Sequence, residues 1–176
     1  MQILLDLDGI NLILGISNYV YSTTWADDLW TKNYVGISSQ YINYEINGEI
    51  FECFEVTQLK EDLKRLLEGN EPENREISFI EPDLEFKLYP SHTIKSGEGG
   101  YVYVAPDAEF VDCYAELIVN LFINGAESGH EINLFVDREN IEKMYNYLRL
   151  VTKEINENEP IIVEYINEGI MLDLQY

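Results

Sequence analysis

Basic residues are scarce in this chain: 11 Lys and Arg stand against 33 Asp and Glu in 176 residues, a formal net charge of −22 at pH 7. That shortage argues against nucleic acid or an anionic membrane as a direct partner, because the summed field repels phosphate at long range and speeds encounter with a basic protein instead. Histidine and cysteine are also few, two of each. His92 and His130 lie in loop-like sequence with no HExxH or Cys/His ligand spacing, so they read as surface residues and no metal site is assigned. Cys53 and Cys113 fall within strand-like alternation, not in a close-spaced pair, and read as free buried thiols. No Ser or Cys occupies a nucleophile-elbow pattern, which leaves acyl transfer without support. Long apolar runs are missing as well. The opening MQILLDLDGINLILGIS lacks a basic n-region and is interrupted by Asp6 and Asp8, so it reads as neither signal peptide nor membrane span, and the expected compartment is the cytosol. With no Pro-, Gly- or Ser-rich linker and no repeat of solenoid period, residues 1–176 read as one domain.

What is present is the material of a packed core. Hydrophobic residues make up 46% of the chain and aromatics 12%, enough to offset ordering entropy by burial where a disordered acidic tail cannot. Asp8-Gly9 supplies the positive backbone angles of a tight turn between Ile3–Leu7 and Ile10–Ile16, with Leu5 facing Leu12. Asn47-Gly48 predicts a second hairpin between Tyr34–Ile46 and Glu49–Val56, which places Ile46 opposite Glu49, Tyr44 opposite Phe51 and Ile42 opposite Cys53. Trp25 and Trp30 precede it in an irregular stretch and read as core. Thr57 is the expected cap of a helix over Gln58–Glu68, with Leu59, Leu63, Leu66 and Leu67 inward and Gly69 at its end, followed by a solvated acidic loop, Glu68–Glu76. Strands are expected at Leu84–Tyr89, Tyr101–Ala105, Val111–Ile123 and Ile132–Val136. A second helix runs from the Asp137 cap to about Glu154, and a closing hairpin joins Ile161–Ile166 to Ile170–Leu174. Hairpin-joined strands with only two helices predict an α+β fold: an antiparallel sheet or sandwich with two amphipathic helices packed on it.

Two short motifs invite a chemical reading. Leu5-Asp6-Leu7-Asp8-Gly9 looks like the aspartate nucleophile motif of haloacid-dehalogenase-type phosphatases, which would make the chain a magnesium-dependent enzyme. The next residue is Ile10 instead of a hydroxyl residue, a strand follows where a crossover helix belongs, and the Asp-Gly turn already explains both acids. Gly97-Glu98-Gly99-Gly100 leads into a strand, so no helix N-terminus points at a phosphate there, and a hairpin connection is the better reading. No catalytic or cofactor-binding residue is assigned.

The order of elements resembles the WapI-like immunity proteins of bacterial polymorphic-toxin and contact-inhibition systems. The likeness runs from about Trp25 to Lys153. It lies in Trp30 and the expected Tyr34–Glu55 hairpin, in Val56-Thr57-Gln58-Leu59 with Asp62-Leu63 and Leu66-Leu67, and in Phe79-Ile80-Glu81-Pro82-Asp83-Leu84-Glu85-Phe86. Gly100–Val104 and Glu131–Val136 leading into Asp137 complete it. The resemblance implies a small cytosolic, non-enzymatic protein that neutralises the toxic domain of a cognate secreted toxin, often a nuclease. A basic nuclease suits an acidic inhibitor. A rival reading is an acidic nucleic-acid mimic that inhibits some other protein.

Docking residues are expected where acids alternate with aromatics on a strand's solvent face: Tyr41, Glu45, Glu52 and Phe54 on the second hairpin, and Asp112, Tyr114 and Glu116 on the long strand. A helix covering either face is the competing expectation, since Phe54, Ile118 and Phe122 favour burial.

Overall fold

A computed structural model describes residues 1–93, 110–123 and 126–173. In chain order these form β1 (Gln2–Leu7), β2 (Ile10–Ser17), a single 3-10 turn (Trp25–Asp27), β3 (Lys32–Ser38), β4 (Asn43–Gly48), α1 (Cys53–Leu67), β5 (Arg75–Ser78), β6 (Leu84–Tyr89), β7 (His92–Thr93), β8 (Phe110–Val111), β9 (Tyr114–Ile123), β10 (Ala126–Val136), α2 (Arg138–Val151), α3 (Pro160–Asn167) and β11 (Met171–Leu172). Two antiparallel sheets carry the fold, one ordered β11-β1-β2-β3-β4 and the other β10-β9-β6-β5, with β7 and β8 paired separately. The class is α+β, as the hairpin pattern predicts. Helix α1 packs on α2, and α2 lies against β1 and β9. One apolar cluster joins the inward faces of both sheets, such as Leu5, Leu12, Val35 and Ile37 with Phe86, Leu88, Leu117 and Val119, to Leu59 and Leu63 of α1 and Leu148 of α2.

The first hairpin forms as expected. Asp8 (φ 54) and Gly9 (φ 87) make the turn, Leu5 sits opposite Leu12, and the Asp6 carboxylate accepts the Gly9 amide at 2.9 Å. The motif that looks like a phosphatase nucleophile is therefore a strand end followed directly by an antiparallel strand.

The second hairpin is displaced from its expected place. β3 and β4 pair with Val35 opposite Ile46, Gly36 opposite Glu45 and Ile37 opposite Tyr44, so the chain reverses at Ser39–Ile42, where the Ser39 hydroxyl accepts the Tyr41 and Ile42 amides. Asn47-Gly48 ends β4, and the pairs Ile46–Glu49, Tyr44–Phe51 and Ile42–Cys53 do not form. The cause is Asn33, buried on β3. Its Oδ1 accepts the Ile50 and Phe51 amides at 2.8 and 3.2 Å, satisfying donors that a strand would otherwise have to pair. Glu52 and Glu55 then form a reciprocal capping box, with the Glu52 amide donating to the Glu55 carboxylate at 2.8 Å, and α1 starts at Cys53, five residues before the expected Gln58. Gly69 (φ 70) ends it as expected, with bonds from the Gly69 amide to Leu66 O and the Asn70 amide to Arg65 O.

Farther on, the expected strand over Val111–Ile123 is interrupted at Asp112-Cys113, between β8 and β9. Both cysteines are free and buried, as their setting predicts. Asp137 caps α2 by accepting the Asn140 amide at 2.8 Å. Buried Tyr147 accepts the Ile16 amide at 2.7 Å and donates to Met1 O, tying α2 to the β1–β2 edge. The closing hairpin is overturned: 160–167 is helical, with Pro160 in its first turn and Ile162 and Tyr165 buried, and β11 pairs with β1 through Ile3 opposite Met171. The described residues thus form three α-helices, not two. Trp25 corrects the core reading, being 71% exposed, while Trp30 is half-buried. The readings placed on Gly97–Gly100 and Tyr101–Ala105 lie outside the described residues.

Candidate partner-binding surface

The outer face of the four-stranded sheet gathers one of the two expected docking sets. Alternation along β9 sends Ala115, Leu117 and Val119 into the core and Tyr114 and Glu116 outward. Tyr89 of β6 lies directly opposite Tyr114, and their rings stack at 4.4 Å between centroids and 10° between planes. Phe135 of β10, 57% exposed, continues the row at 5.2 Å from Tyr114. Glu116 lies between Lys87 and Phe135 in register and accepts the Tyr89 hydroxyl at 3.0 Å. Burial first, then the neighbouring Glu116 carboxylate, raises the Tyr89 phenol above its ordinary value. Rigid aromatics beside a fixed carboxylate suit an interface, since little side-chain entropy remains to be lost on binding.

Asp112 behaves differently from Glu116. Its Oδ1 accepts the Cys113 amide at 2.8 Å, the Ser91 hydroxyl at 3.1 Å and the Arg138 guanidinium at 3.2 Å. Partial burial pushes the carboxyl up, but the Cys113 amide, Arg138 and Ser91 together outweigh it and hold it below its ordinary value. Arg138 also reaches Glu142 and donates to Leu67 O at 3.1 Å, so it binds the start of α2 to the end of α1. Asp112 is thus neutralised within the chain and serves as an anchor at the border of the face.

The other set is not brought together. Tyr41, 88% exposed, stands at the β3–β4 turn, and Glu45 projects from β4 on the outer face of the five-stranded sheet, where it raises the Tyr34 phenol after burial has done so. The Tyr34 ring lies across Gly36, close enough that a Cβ there would meet its hydroxyl at 2.8 Å. Glu52 is only 5% exposed and belongs to the cap of α1; burial, then the Asp28 charge, raises its pKa. It shares no solvent face with Tyr41 or Glu45. Phe54 lines a groove of about 350 Å³ between α1 and β5, together with Glu55, Gln58, Phe79 and Ile80.

Cations are largely consumed inside the molecule. Lys60, Arg65, Arg75, Lys87, Arg138, Lys143 and Arg149 each lie within 4 Å of a carboxylate of the chain itself, and Asp62, fully buried, takes both Arg65 and Arg75. The surface left to a partner is correspondingly acidic. Among the described residues no cluster of three His, Cys, Asp or Glu is placed to hold a metal ion, and no helix is long and apolar enough to cross a membrane.

A model of the immunity protein WapI-like family matches residues 3–156. The chain belongs to that family. The match takes in the β1–β2 hairpin, which the sequence resemblance left out, and stops before α3 and β11. Comparison with curated proteins and with solved structures gave no match. Membership of the WapI-like family supports an immunity role and a toxin as partner, and leaves the toxin's chemistry to be argued.

Proposed function

We propose that this chain is a cytosolic immunity protein that acts as one domain, binding a basic toxin domain, of nuclease type, and blocking it by association without catalysis. The observation that carries the reading is the charge: a family member with net −22 spends its few cations on internal pairs and turns its remaining acids outward, which complements a surface built to hold nucleic acid. The outer face bearing Tyr89, Tyr114, Glu116 and Phe135 is one docking surface, with Asp112 at its border. Tyr41 and Glu45 form a second, smaller patch, and Glu52 supports it only through the fold.

The first check is the gene immediately upstream: a large secreted protein with a variable C-terminal domain is expected there, that domain is the toxin used in the test, and a lone metabolic operon counts against the proposal. Expressed alone in a host cell the toxin domain should arrest growth, and co-expression of this chain should restore it. The purified pair should form a complex in which nuclease activity is lost. Absence of binding to that domain, or protection without binding, sinks the proposal.

A further inference from the structure

The β2–β3 connection, residues 18–31, exposes its largest apolar side chains while its backbone is held rigidly. Tyr21 is 74% exposed and Trp25 71%, with Val20 beside them in sequence, also exposed. Beneath them Ser22 is buried; its hydroxyl donates to Asp27 at 2.8 Å, and its carbonyl accepts the Thr57 hydroxyl at 3.2 Å. The Tyr19 hydroxyl meets Thr57 at 2.8 Å and the Val20 amide donates to Cys53 Sγ at 3.4 Å, so α1 holds the loop from one side. Thr24 caps the 3-10 turn, the Trp30 indole donates to Asp28 at 3.0 Å, and the Cys53 amide donates to Leu29 O at 2.7 Å. Nothing in this network uses the Tyr21 ring or the Trp25 indole. An ordered loop that leaves two large aromatics in water has already lost the entropy that a flexible binding loop would lose on docking.

The charge around the tip selects the occupant. Asp27 and Asp28 are both exposed and adjacent to Trp25, and neither meets a Lys or Arg among the described residues. A second copy of so acidic a chain is repelled by this arrangement, whereas a cationic surface is attracted. We infer that the β2–β3 loop is a preformed docking finger whose Trp25 and Tyr21 enter an apolar recess on a basic toxin domain, with Lys or Arg at the rim of that recess pairing with Asp27 and Asp28. The inference rests on the immunity reading and adds a surface separate from the sheet face.

The experiment uses the full chain and the upstream-encoded toxin domain. Trp25→Ala is expected to weaken binding at least about 30-fold, the fold-change of a hot-spot side chain, and Tyr21→Ala to weaken it less, both with unchanged melting temperature. In a Trp30→Phe background Trp25 is the sole tryptophan; acrylamide should quench it strongly in the free protein and weakly in the complex. Unchanged affinity in both alanine variants with undiminished quenching in the complex overturns the docking finger while leaving immunity intact. A Trp25-dependent homodimer in sedimentation overturns it in favour of a second copy. Failure of the wild-type chain to bind the toxin domain overturns the immunity reading and this inference together.

Discussion

At the scale of single residues, Glu52 and Glu55 show how a local device redirects a chain. Two carboxyls are brought into a buried reciprocal cap because each serves the amide of the other's turn, yet Glu52 Oε2 keeps no hydrogen-bond partner. Burial, then Asp28, raises Glu52; for Glu55 burial also outweighs the Glu52 and Ile80 amides that favour the charged form. A raised carboxyl binds its proton more tightly in the folded state. The stability this confers is complete below the ordinary value of 4.5 and is lost as pH rises through the folded values. Asp112 and Glu154, both lowered, work in the opposite sense, but their contribution disappears only as pH falls through their depressed folded values. From the ordinary value of 4.5 up through the raised folded values the pair therefore dominates, and the urea midpoint should decline as pH rises. Glu52→Gln keeps an acceptor and removes the charge, so its profile should be flatter. A variant profile as steep as that of the wild type would remove Glu52 from the explanation.

At the scale of elements, the parts readable from sequence were those whose local signal agreed with their burial. Asp8-Gly9 and the Asp137 cap are examples, each specified by side chains within a few residues. The β3–β4 hairpin was hidden because its reversal uses Ser39 in place of an Asn-Gly pair, and because residues 49–56 alternate like a strand while Asn33, far back in the chain, satisfies their first amides. A Glu cap is also a weak sequence signal beside Thr57. Residues 161–166 are apolar almost throughout, so no period separates helix from strand, and Pro160 starts a helix as readily as it ends one. The outward placement of Tyr114 and Glu116 was legible on β9, where alternation holds from Tyr114 to Leu117 before buried Ile118 breaks it, whereas the hairpin set was lost with the displaced hairpin; the aromatic row across Tyr89, Tyr114 and Phe135 joins residues that only strand order brings together. The exposure of Trp25 depends on the packing of residues 18–31 against α1, which no short-range pattern encodes. If that sheet face binds the toxin, Glu116→Gln, which still accepts the Tyr89 hydroxyl, combined with Glu131→Lys, both outward on adjacent strands, should weaken the complex at constant melting temperature. Asp112→Lys should lower the melting temperature because it opposes Arg138. Thermal melts and titration calorimetry on the two variants distinguish surface from anchor; equal affinity in the stable double variant would remove this face from the interface.

At the scale of the molecule, charge and core serve separate ends. The apolar cluster spans both sheets and the helices and offsets the self-repulsion that a net −22 imposes on the compact state, so that charge can form a field that reaches beyond the contact surface. Internal pairing strengthens that asymmetry: Asp62 holds Arg65 and Arg75 at α1, Arg138 bridges Asp112 and Glu142, and Lys60 with Arg149 meets Glu154, so each of these cations is offset by a carboxylate of the chain itself. Such a field acts before contact. It should therefore raise the rate of encounter with a basic domain far more than it slows departure, because close contacts made after docking are screened little by salt. The screening length contracts from roughly 10 Å at 0.1 M salt to roughly 3 Å at 1 M, shorter than the approach distance over which steering operates. Stopped-flow mixing with the upstream-encoded toxin domain should show association slowing steeply with added sodium chloride while dissociation changes little. Trp25→Ala should do the reverse, leaving the salt dependence of association in place and speeding dissociation, since it removes a contact and no charge. Association rates independent of salt would mean that the acids keep this protein soluble without steering it, and recognition would then rest on the aromatic contacts alone.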